Sequence, residues 1–203
     1  MRLIVITTEA FFNGEAEAIN LLFKNGLELL HIRKPYISAD EMRSFIEQID
    51  KTFHHNIVLH DNYELANVFG LKGIHLNRRN KDVSGELEKS LSISCSCHSF
   101  KEIGEAQKCE YVFLSPVFDS ISKVGYKQGF THEQLCDARD KGIISKHIVA
   151  LGGVAKEQIS VVSRYGFGGV AILGALWNNF IKDGNTDELL RRFNELKIEC
   201  EEK

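Results

Sequence analysis

The chain has 203 residues, of which 43% are hydrophobic and 26% charged, and 25 Lys plus Arg against 28 Asp plus Glu give a formal net charge of −3. About 200 residues are enough to enclose one hydrophobic core, so we expect a single domain over residues 1–203. The lack of a concentrated positive field argues against nucleic-acid and membrane-surface partners, whereas small anionic substrates need only a few local donors.

The cysteines and the apolar runs predict a cytoplasmic protein. The five cysteines form an odd set without CxxC spacing, which favours free thiols in a reducing compartment. The N-terminal apolar run is too short for a signal peptide, and no window approaches the roughly 18 apolar residues of a membrane span. The cysteines are Cys95, Cys97, Cys109, Cys136 and Cys200.

Short runs rich in β-branched residues are predicted as strands. Several are apolar throughout, as expected of parallel strands that are covered on both faces. The eight runs are Leu3–Thr7, Glu28–Arg33, Ile57–His60, Gly73–Leu76, Leu91–Cys95, Tyr111–Ser115, His147–Leu151 and Gly168–Leu173.

Segments of helical period lie between these runs. Within Ser38–Phe53, apolar residues recur at i, i+3, i+4 and i+7 from Met42, and Ser38 followed by Glu41 has the pattern of a capping box. Asp187–Cys200 also places its apolar residues on one face, and we expect it to form a closing helix.

The alternation of eight strands with helices predicts an α/β protein, a single (β/α)8 TIM barrel with a C-terminal closing helix. A flavodoxin-like sheet would leave about three runs unused. The sequence leaves a homodimer open. In such a barrel the active site is built from loops at the carboxyl ends of the strands, so polar residues there are the candidates for function.

Three of these loops carry charged residues. Arg33 can place two donors on a phosphate, whereas a structural arginine would usually lie on a solvated helix face. Asp61 could hold Mg2+ or cap the next helix. Ser120, Ser122 and Lys123 combine two hydroxyls and a cation in one loop, which suits a bound anion, although a solvated turn has the same composition.

Histidines follow or end several strands. Their side chains titrate near neutral pH, but histidines at strand ends often only satisfy neighbouring backbone groups. No HxH or HExxH spacing indicates a metal site. The histidines concerned are His31, His60, His75 and His98.

Glycines directly follow the last two strands, with Gly152 and Gly153 after the seventh and Gly174 after the eighth. Glycine lets backbone N–H groups approach phosphate oxygens, and the N-terminus of a following helix adds a favourable dipole. Close packing of a helix against a strand is the alternative explanation.

Taken in order, these motifs resemble the thiamin phosphate synthases (thiamine-phosphate pyrophosphorylases) together with the TenI-like thiazole tautomerases, a family of (β/α)8 barrels. The resemblance covers nearly the whole chain. It rests on His31-Ile32-Arg33, His60-Asp61-Asn62-Tyr63-Glu64-Leu65-Ala66, Gly73-Ile74-His75-Leu76, Ser96-Cys97-His98-Ser99, Pro116-Val117-Phe118 with Ser120, Ser122 and Lys123, Ala150-Leu151-Gly152-Gly153, and Gly169-Val170-Ala171.

The resemblance implies that hydroxymethylpyrimidine diphosphate is joined to thiazole phosphate with release of diphosphate. Diphosphate leaves first, and the thiazole nitrogen captures the pyrimidine carbocation. By resemblance Arg33, Ser96 and Lys123 contact the diphosphate, and Asp61 is a ligand of Mg2+. The thiazole phosphate is expected to be surrounded by Ser120, Ser122, Gly153, Leu173 and Gly174.

The chain departs from the synthase pattern at three positions. Pro35 stands where synthases have a lysine, with Lys34 as the adjacent cation that could take its place. His60 replaces the asparagine before the first metal-binding aspartate, and Asn80 replaces the second. Asn80 can still offer an oxygen to the metal. Losing one preorganised contact to a developing anion costs roughly 3 kcal/mol, or about a hundredfold in rate.

The tautomerase branch is a second interpretation. Its catalytic histidine sits where this chain has Pro116, so His98 or His60 would have to move the proton instead. A third interpretation is a non-catalytic binder of thiazole or thiamin phosphate. A fourth is the reuse of the phosphate site for a sugar or indole phosphate, because phosphate sites on this fold serve many reactions.

Overall fold

The computed structural model describes residues 1–80, 90–119 and 128–203. The strands described form a closed parallel barrel in which each pairs with the next and β1 pairs with β8. This confirms the predicted barrel, and each strand agrees with a predicted run to within two residues. The strands are β1 (Arg2–Ile6), β2 (Leu30–Ile32), β3 (Ile57–Leu59), β4 (Gly73–Leu76), β5 (Ser92–Cys97), β6 (Tyr111–Leu114), β7 (Ile148–Leu151) and β8 (Gly169–Ile172).

Helices cover the outside of the barrel. In the part of the chain that the structure describes, no helix has the length and apolarity needed to cross a membrane. The helices are α1 (Glu15–Lys24), α2 (Ala39–Glu47), α3 (Glu64–Phe69), α4 (Phe100–Glu105), α5 (His132–Asp140), α6 (Lys156–Arg164), α7 (Gly174–Asp183) and α8 (Thr186–Glu201).

The helix predicted over Ser38–Phe53 is shorter than expected. The capping box of Ser38 and Glu41 is present, but α2 ends at Glu47. Asp50 then leaves the helical conformation, with φ −57° and ψ 128°, and its side chain accepts a hydrogen bond from the N–H of Thr52. This caps a separate 3-10 helix over Lys51–Asn56. The Asp50 cap therefore ends the helix before the apolar pattern of Ser38–Phe53 is complete.

The predicted closing helix is confirmed as α8. Asn185 caps its N-terminus by accepting a hydrogen bond from the N–H of Glu188. Leu189, Phe193 and Leu196 are buried, and the helix packs against α6, α7 and β1. The last part of the chain thus covers the side of the barrel where β1 lies.

The barrel interior is divided between apolar and polar side chains. Because side chains alternate across a strand, every second residue points inward. The apolar part of the interior comprises Ile4, Ile6, Leu29, Val58, Tyr111, Phe113, Val149 and Ala171. The polar part of the interior comprises four buried residues that lie on β2, after β3, on β4 and on β5. They are His31, His60, His75 and Ser94.

Candidate active site

A chain of hydrogen bonds runs through the interior of the barrel. His31 Nδ1 lies 2.9 Å from His60 Nε2, and His31 Nε2 lies 2.7 Å from the hydroxyl of Tyr111. His31 is on β2, His60 follows β3 and Tyr111 begins β6, so the chain crosses from the carboxyl end of the barrel to its opposite end. The geometry fixes the orientation of the His60 ring.

A second set of contacts centres on His75 of β4. Its Nδ1 lies 2.9 Å from the hydroxyl of Ser94, and its Nε2 lies 2.7 Å from the hydroxyl of Ser96. Ser94 is buried and Ser96 is half-buried. The His75 ring also stacks on His60 with ring centroids 4.2 Å apart. The Ser96 hydroxyl is thereby held by His75 near the carboxyl end of β5.

Burial keeps these three imidazoles neutral. Loss of hydration lowers the pKa of His75 to about 3, with the positive charge of Arg33 as a second cause. Burial is also the largest cause that lowers the pKa of His31 and of His60 well below the usual value. A neutral ring carries a single N–H, so each histidine can donate one hydrogen bond and accept one.

The three histidines were seen in the sequence, but not their association. Their candidate metal-binding atoms lie within 4.8 Å of one another. Both ring nitrogens of His31 and of His75 already contact protein groups, so the cluster is organised as a hydrogen-bonded polar core. A spacing motif such as HxH detects histidines that lie on the same strand, whereas these three lie on or after three different strands. The signal that could have revealed the cluster is a histidine at an inward position on neighbouring strands.

Arg33 lies at the carboxyl end of the barrel, as predicted. Its NH1 group donates to Glu9 Oε1 at 2.8 Å, and its backbone N–H donates to the hydroxyl of Thr7 at 2.9 Å. Both side chains of the ion pair are partly exposed. The charge of Arg33 lowers the pKa of both His60 and His75, so the guanidinium lies close enough to the cluster to act on both rings.

Lys34 does not replace the lysine that is missing at Pro35. Its Nζ lies 2.8 and 2.7 Å from the two carboxylate oxygens of Glu15 and 2.9 Å from the carbonyl of Ala10, and its side chain is fully buried. Burial lowers the pKa of Lys34 and raises that of Glu15, and their mutual attraction opposes both shifts. The expectation that Lys34 takes the place of the missing lysine is wrong, because the pair with Glu15 holds it inside.

Asp61 and Asn80 come together as the predicted metal site requires. Asn80 donates from Nδ2 to Asp61 Oδ1 at 3.0 Å. A third residue, Arg79, donates from NH2 to the same oxygen at 3.1 Å. Arg79 belongs to none of the sequence motifs; the signal that could have revealed its role is a cation directly before Asn80, the position of the replaced carboxylate.

The arrangement around Asp61 does not fit Mg2+. The ion prefers several oxygen ligands in octahedral geometry, with carboxylates as its protein ligands. Here one carboxylate is already neutralised by Arg79, and the second ligand position holds a neutral amide whose N–H points at that carboxylate. At about 4 Å, a divalent ion and a guanidinium repel by roughly 8 kcal/mol at an effective dielectric constant of 20.

Glycines and a helix N-terminus lie on the opposite side of the same end of the barrel. Gly152 and Gly153 have φ of +95° and +65°, and a Cβ on Gly153 would lie 2.1 Å from the carbonyl oxygen of Asp119. Helix α7 begins at Gly174 without a side-chain cap, with Leu173 as its first flanking residue. The first N–H groups of a helix can bind an anion.

His98 is exposed beside the predicted thiazole pocket. Its Nδ1 lies 2.9 Å from the carbonyl oxygen of Ser115, the residue before Pro116. His60, by contrast, is only 3% exposed. Ser120, Ser122 and Lys123 lie outside the described residues, so their roles stay predictions.

Comparison with known proteins agrees with this geometry. The family model described as thiamine monophosphate synthase matches residues 3–176. A thiamine-phosphate synthase of Clostridium novyi is 26% identical over 190 residues, which cover 88% of this chain and 91% of that protein. One of Methanococcus maripaludis is 27% identical over 205 residues, covering 93% and 89%.

Solved structures give the same result. The thiamine phosphate pyrophosphorylase of Bacteroides thetaiotaomicron superposes with a TM-score of 0.88 at 36% identity, covering 99% of this chain and 98% of that one. The corresponding protein of Pyrococcus furiosus gives a TM-score of 0.77 at 21% identity, which speaks for the fold alone. From the match over residues 3–176 and the 36% identical structure, the chain belongs to the thiamine monophosphate synthase family.

Proposed function

We propose that this protein is a thiamin phosphate synthase, which joins hydroxymethylpyrimidine diphosphate to thiazole phosphate and releases diphosphate. The observation that carries the proposal is that groups suited to binding an anion lie in two regions at one end of the barrel. Arg33 and Ser96 lie around the buried histidines on one side. Gly153 and the N-terminus of α7 lie on the β7–β8 side. Two phosphorylated substrates need two such regions that face a common space.

The diphosphate region would act on the leaving group. When the C–O bond to diphosphate breaks first, catalysis consists of stabilising the departing anion and holding the acceptor in place. The Arg33 guanidinium offers further N–H groups beyond the one bonded to Glu9, and Ser96 offers a hydroxyl that His75 orients. Lys123 is proposed as a third donor.

The thiazole phosphate would bind on the glycine side. Positive φ at Gly153 turns the chain so that it can pass Asp119 without a side-chain clash. Leu173 and Gly174 would donate backbone N–H groups at the start of α7, where the helix dipole favours an anion. Ser120 and Ser122 are proposed to complete the site.

A homodimer and contact of His60 with substrate stay predictions, as does Mg2+, which only the resemblance predicts and which the arrangement around Asp61 does not fit. Mg2+ would have to displace Arg79 from Asp61, so the assay must be run both with and without the ion. His60 is buried and its Nε2 lies 2.9 Å from His31 Nδ1, so a change in the ring position would be needed for direct contact with substrate.

The test is product formation by the purified protein. Incubation with both substrates, followed by oxidation to the fluorescent thiochrome, measures thiamin phosphate. We expect product, and a loss of about a hundredfold in Arg33→Met. Arg139→Met is the matched control, because Arg139 is exposed and pairs only with a neighbouring surface carboxylate, Asp140, among the described ion pairs. No product above background from the unaltered protein would reject the proposal.

One observation supports the tautomerase as a second candidate. His98 Nδ1 contacts the carbonyl oxygen of Ser115, the residue before Pro116. By resemblance, Pro116 occupies the position where tautomerases carry their catalytic histidine. Its exposed ring could move a proton to and from a bound thiazole. Exchange of the thiazole proton with solvent that disappears in His98→Ala would support this function, and unchanged exchange would exclude it. Micromolar binding of thiazole phosphate without either reaction would identify a non-catalytic binder.

A further inference from the structure

Arg79 is held on Asp61 by a closely bonded turn. Residues Asn77 and Asn80 exchange two backbone hydrogen bonds of 3.1 Å, and the Asn77 side chain accepts from the backbone N–H groups of Arg79 and Asn80. Asn77 Nδ2 also donates to the carbonyl of His60 at 2.9 Å. These contacts fasten the turn to the end of β3, directly beside the carboxylate that Arg79 contacts.

Arg33 and Arg79 follow the two strands that flank β3. The turn that carries Arg79 is bonded to the carbonyl of His60, the residue after β3, by Asn77 Nδ2 at 2.9 Å and Asn80 Nδ2 at 3.3 Å. Arg33 follows β2 and Arg79 follows β4, with His60 after β3 between them. The two residues therefore flank the end of β3, beside the position where the pyrimidine diphosphate is proposed to bind.

Because Asn80 is neutral, Asp61 is the one carboxylate at this position and its charge is balanced by Arg79. A second carboxylate beside Asp61 would favour a divalent ion, whereas one carboxylate balances one guanidinium. Arg79 is 39% exposed in its side chain while Asp61 is 11% exposed, so the guanidinium is the accessible member of the pair. A planar guanidinium can bind two phosphate oxygens at once.

We propose that Arg79, positioned by Asp61 and Asn80, binds the diphosphate together with Arg33 and supplies the positive charge for its departure, so that this reaction does not require a divalent metal. The inference rests on the proposed function. In the step concerned, the C–O bond breaks and both electrons leave on a diphosphate oxygen. The lone pair of the thiazole nitrogen then forms the C–N bond, and no proton is gained or lost.

Turnover in EDTA is the first test. We expect the unaltered protein to form thiamin phosphate in EDTA at a rate that added Mg2+ changes little. Arg79→Gln should lose about a hundredfold, as for removal of one preorganised donor to a developing anion. Arg78→Gln is the matched control, since Arg78 is the exposed neighbouring arginine. Turnover that depends on Mg2+, or equal losses in the two variants, would overturn the proposal.

A reconstructed metal site is the second test. In the double variant Arg79→Gln, Asn80→Asp, the guanidinium is removed and a second carboxylate is restored. We expect calorimetry to detect Mg2+ binding to this variant and not to the unaltered protein, and we expect turnover to return only with Mg2+. Binding of Mg2+ by the unaltered protein would contradict the inference.

Binding of inorganic diphosphate separates this inference from the proposed function. In EDTA we expect the unaltered protein to bind diphosphate, and Arg79→Gln to bind it at least about tenfold more weakly, a change of 1.4 kcal/mol. Arg79→Lys, which keeps the charge, should restore part of the affinity, and thermal unfolding checks that each variant is folded. Arg79-dependent binding without turnover would reject the synthase but keep the anion site; binding that is absent or independent of Arg79 would reject the site.

Discussion

The Nζ of Lys34 lies 2.7 Å from Oε2 of Glu15, and the two side chains are 0% and 1% exposed. The aromatic rings of Phe11 and Phe45 lie 4.7 and 5.5 Å from the same Nζ. This pair fastens the segment after β2 to the start of α1. Lys34 is adjacent to Arg33 in the sequence, yet the two cations differ in role. Arg33 is partly exposed at the carboxyl end of the barrel, whereas Lys34 is buried and structural.

Removing one member of this pair should destabilise the fold strongly. We expect Glu15→Gln and Lys34→Met each to lower the free energy of unfolding by about 3–5 kcal/mol, because the remaining group is left buried and unpaired. The double variant Glu15→Leu, Lys34→Met should lose far less than the sum. Urea unfolding measures all three. Lys141→Met is the control, because it breaks an exposed pair with Asp137 worth about 1 kcal/mol or less.

The buried histidines should make stability fall with acid. Their pKa values are lowered in the folded state, to about 3 for His75, whereas in the unfolded chain each is about 6.5. The unfolded state therefore binds more protons, so the contribution to stability is complete above pH 6.5 and is lost as the pH falls. Each ring contributes a slope of about 1.4 kcal/mol per pH unit, or roughly 4 for the three.

Urea unfolding at pH 7.5, 6 and 5 checks this dependence, because most carboxylates remain ionised over that range. His75→Asn should reduce the slope by about one third. His55→Asn serves as the control, since His55 is exposed. A free energy of unfolding that stays constant between pH 7.5 and 5 would contradict the buried neutral cluster.

Gly153 should be far less tolerant of a side chain than Gly142, although both have positive φ. No atom lies within 4 Å of a Cβ on Gly142, so Gly142→Ala should cost only backbone strain of about 1 kcal/mol. In Gly153→Ala the methyl group meets the Asp119 carbonyl, and the glycine loop must move. We expect KM for thiazole phosphate to rise by about a hundredfold, as when a binding group is displaced by about 1 Å. Equal effects of the two substitutions on KM would argue against a binding role for Gly153.

The sequence predicted the barrel well because its signals are local. Each βα unit has its own apolar run and its own helical period, so the strands were located to within two residues. The pair of Lys34 with Glu15 could not be predicted in this way, because the direction of a side chain depends on packing between elements. The cluster of His31, His60 and His75 depends likewise on which residues point inward on three neighbouring strands.

Site residues were predictable to the extent that they follow strand ends. Arg33 and Asp61 follow the carboxyl ends of β2 and β3. Arg79 was missed because its meaning depends on the neighbouring substitution: an arginine before an asparagine is an ordinary surface feature until Asn80 is recognised as the position of a lost carboxylate. Charge balance within the site, rather than a motif, is the relevant signal.

Ser94 and Ser96 allow the structural and catalytic roles of the polar core to be separated. Both hydroxyls contact His75, at 2.9 and 2.7 Å, so Ser94→Ala and Ser96→Ala should each leave one ring nitrogen unpaired and cost about 1–3 kcal/mol in unfolding free energy. Ser96 is the less buried of the two and is the proposed diphosphate contact. We therefore expect Ser96→Ala to lower kcat by about a hundredfold or more, with Ser94→Ala showing little of this kinetic effect.

Conservative variants distinguish loss of the Ser96 contact with diphosphate from a changed orientation of the His75 ring. Ser96→Thr keeps the hydroxyl and should retain most of the activity. Ser96→Ala should bind inorganic diphosphate more weakly than the unaltered protein, as measured by calorimetry. If His75 alone mattered, Ser94→Ala and Ser96→Ala would reduce kcat equally, because each removes one of its two hydrogen-bond partners. Unequal kinetic losses at equal stability cost would place the serine hydroxyl on the leaving diphosphate.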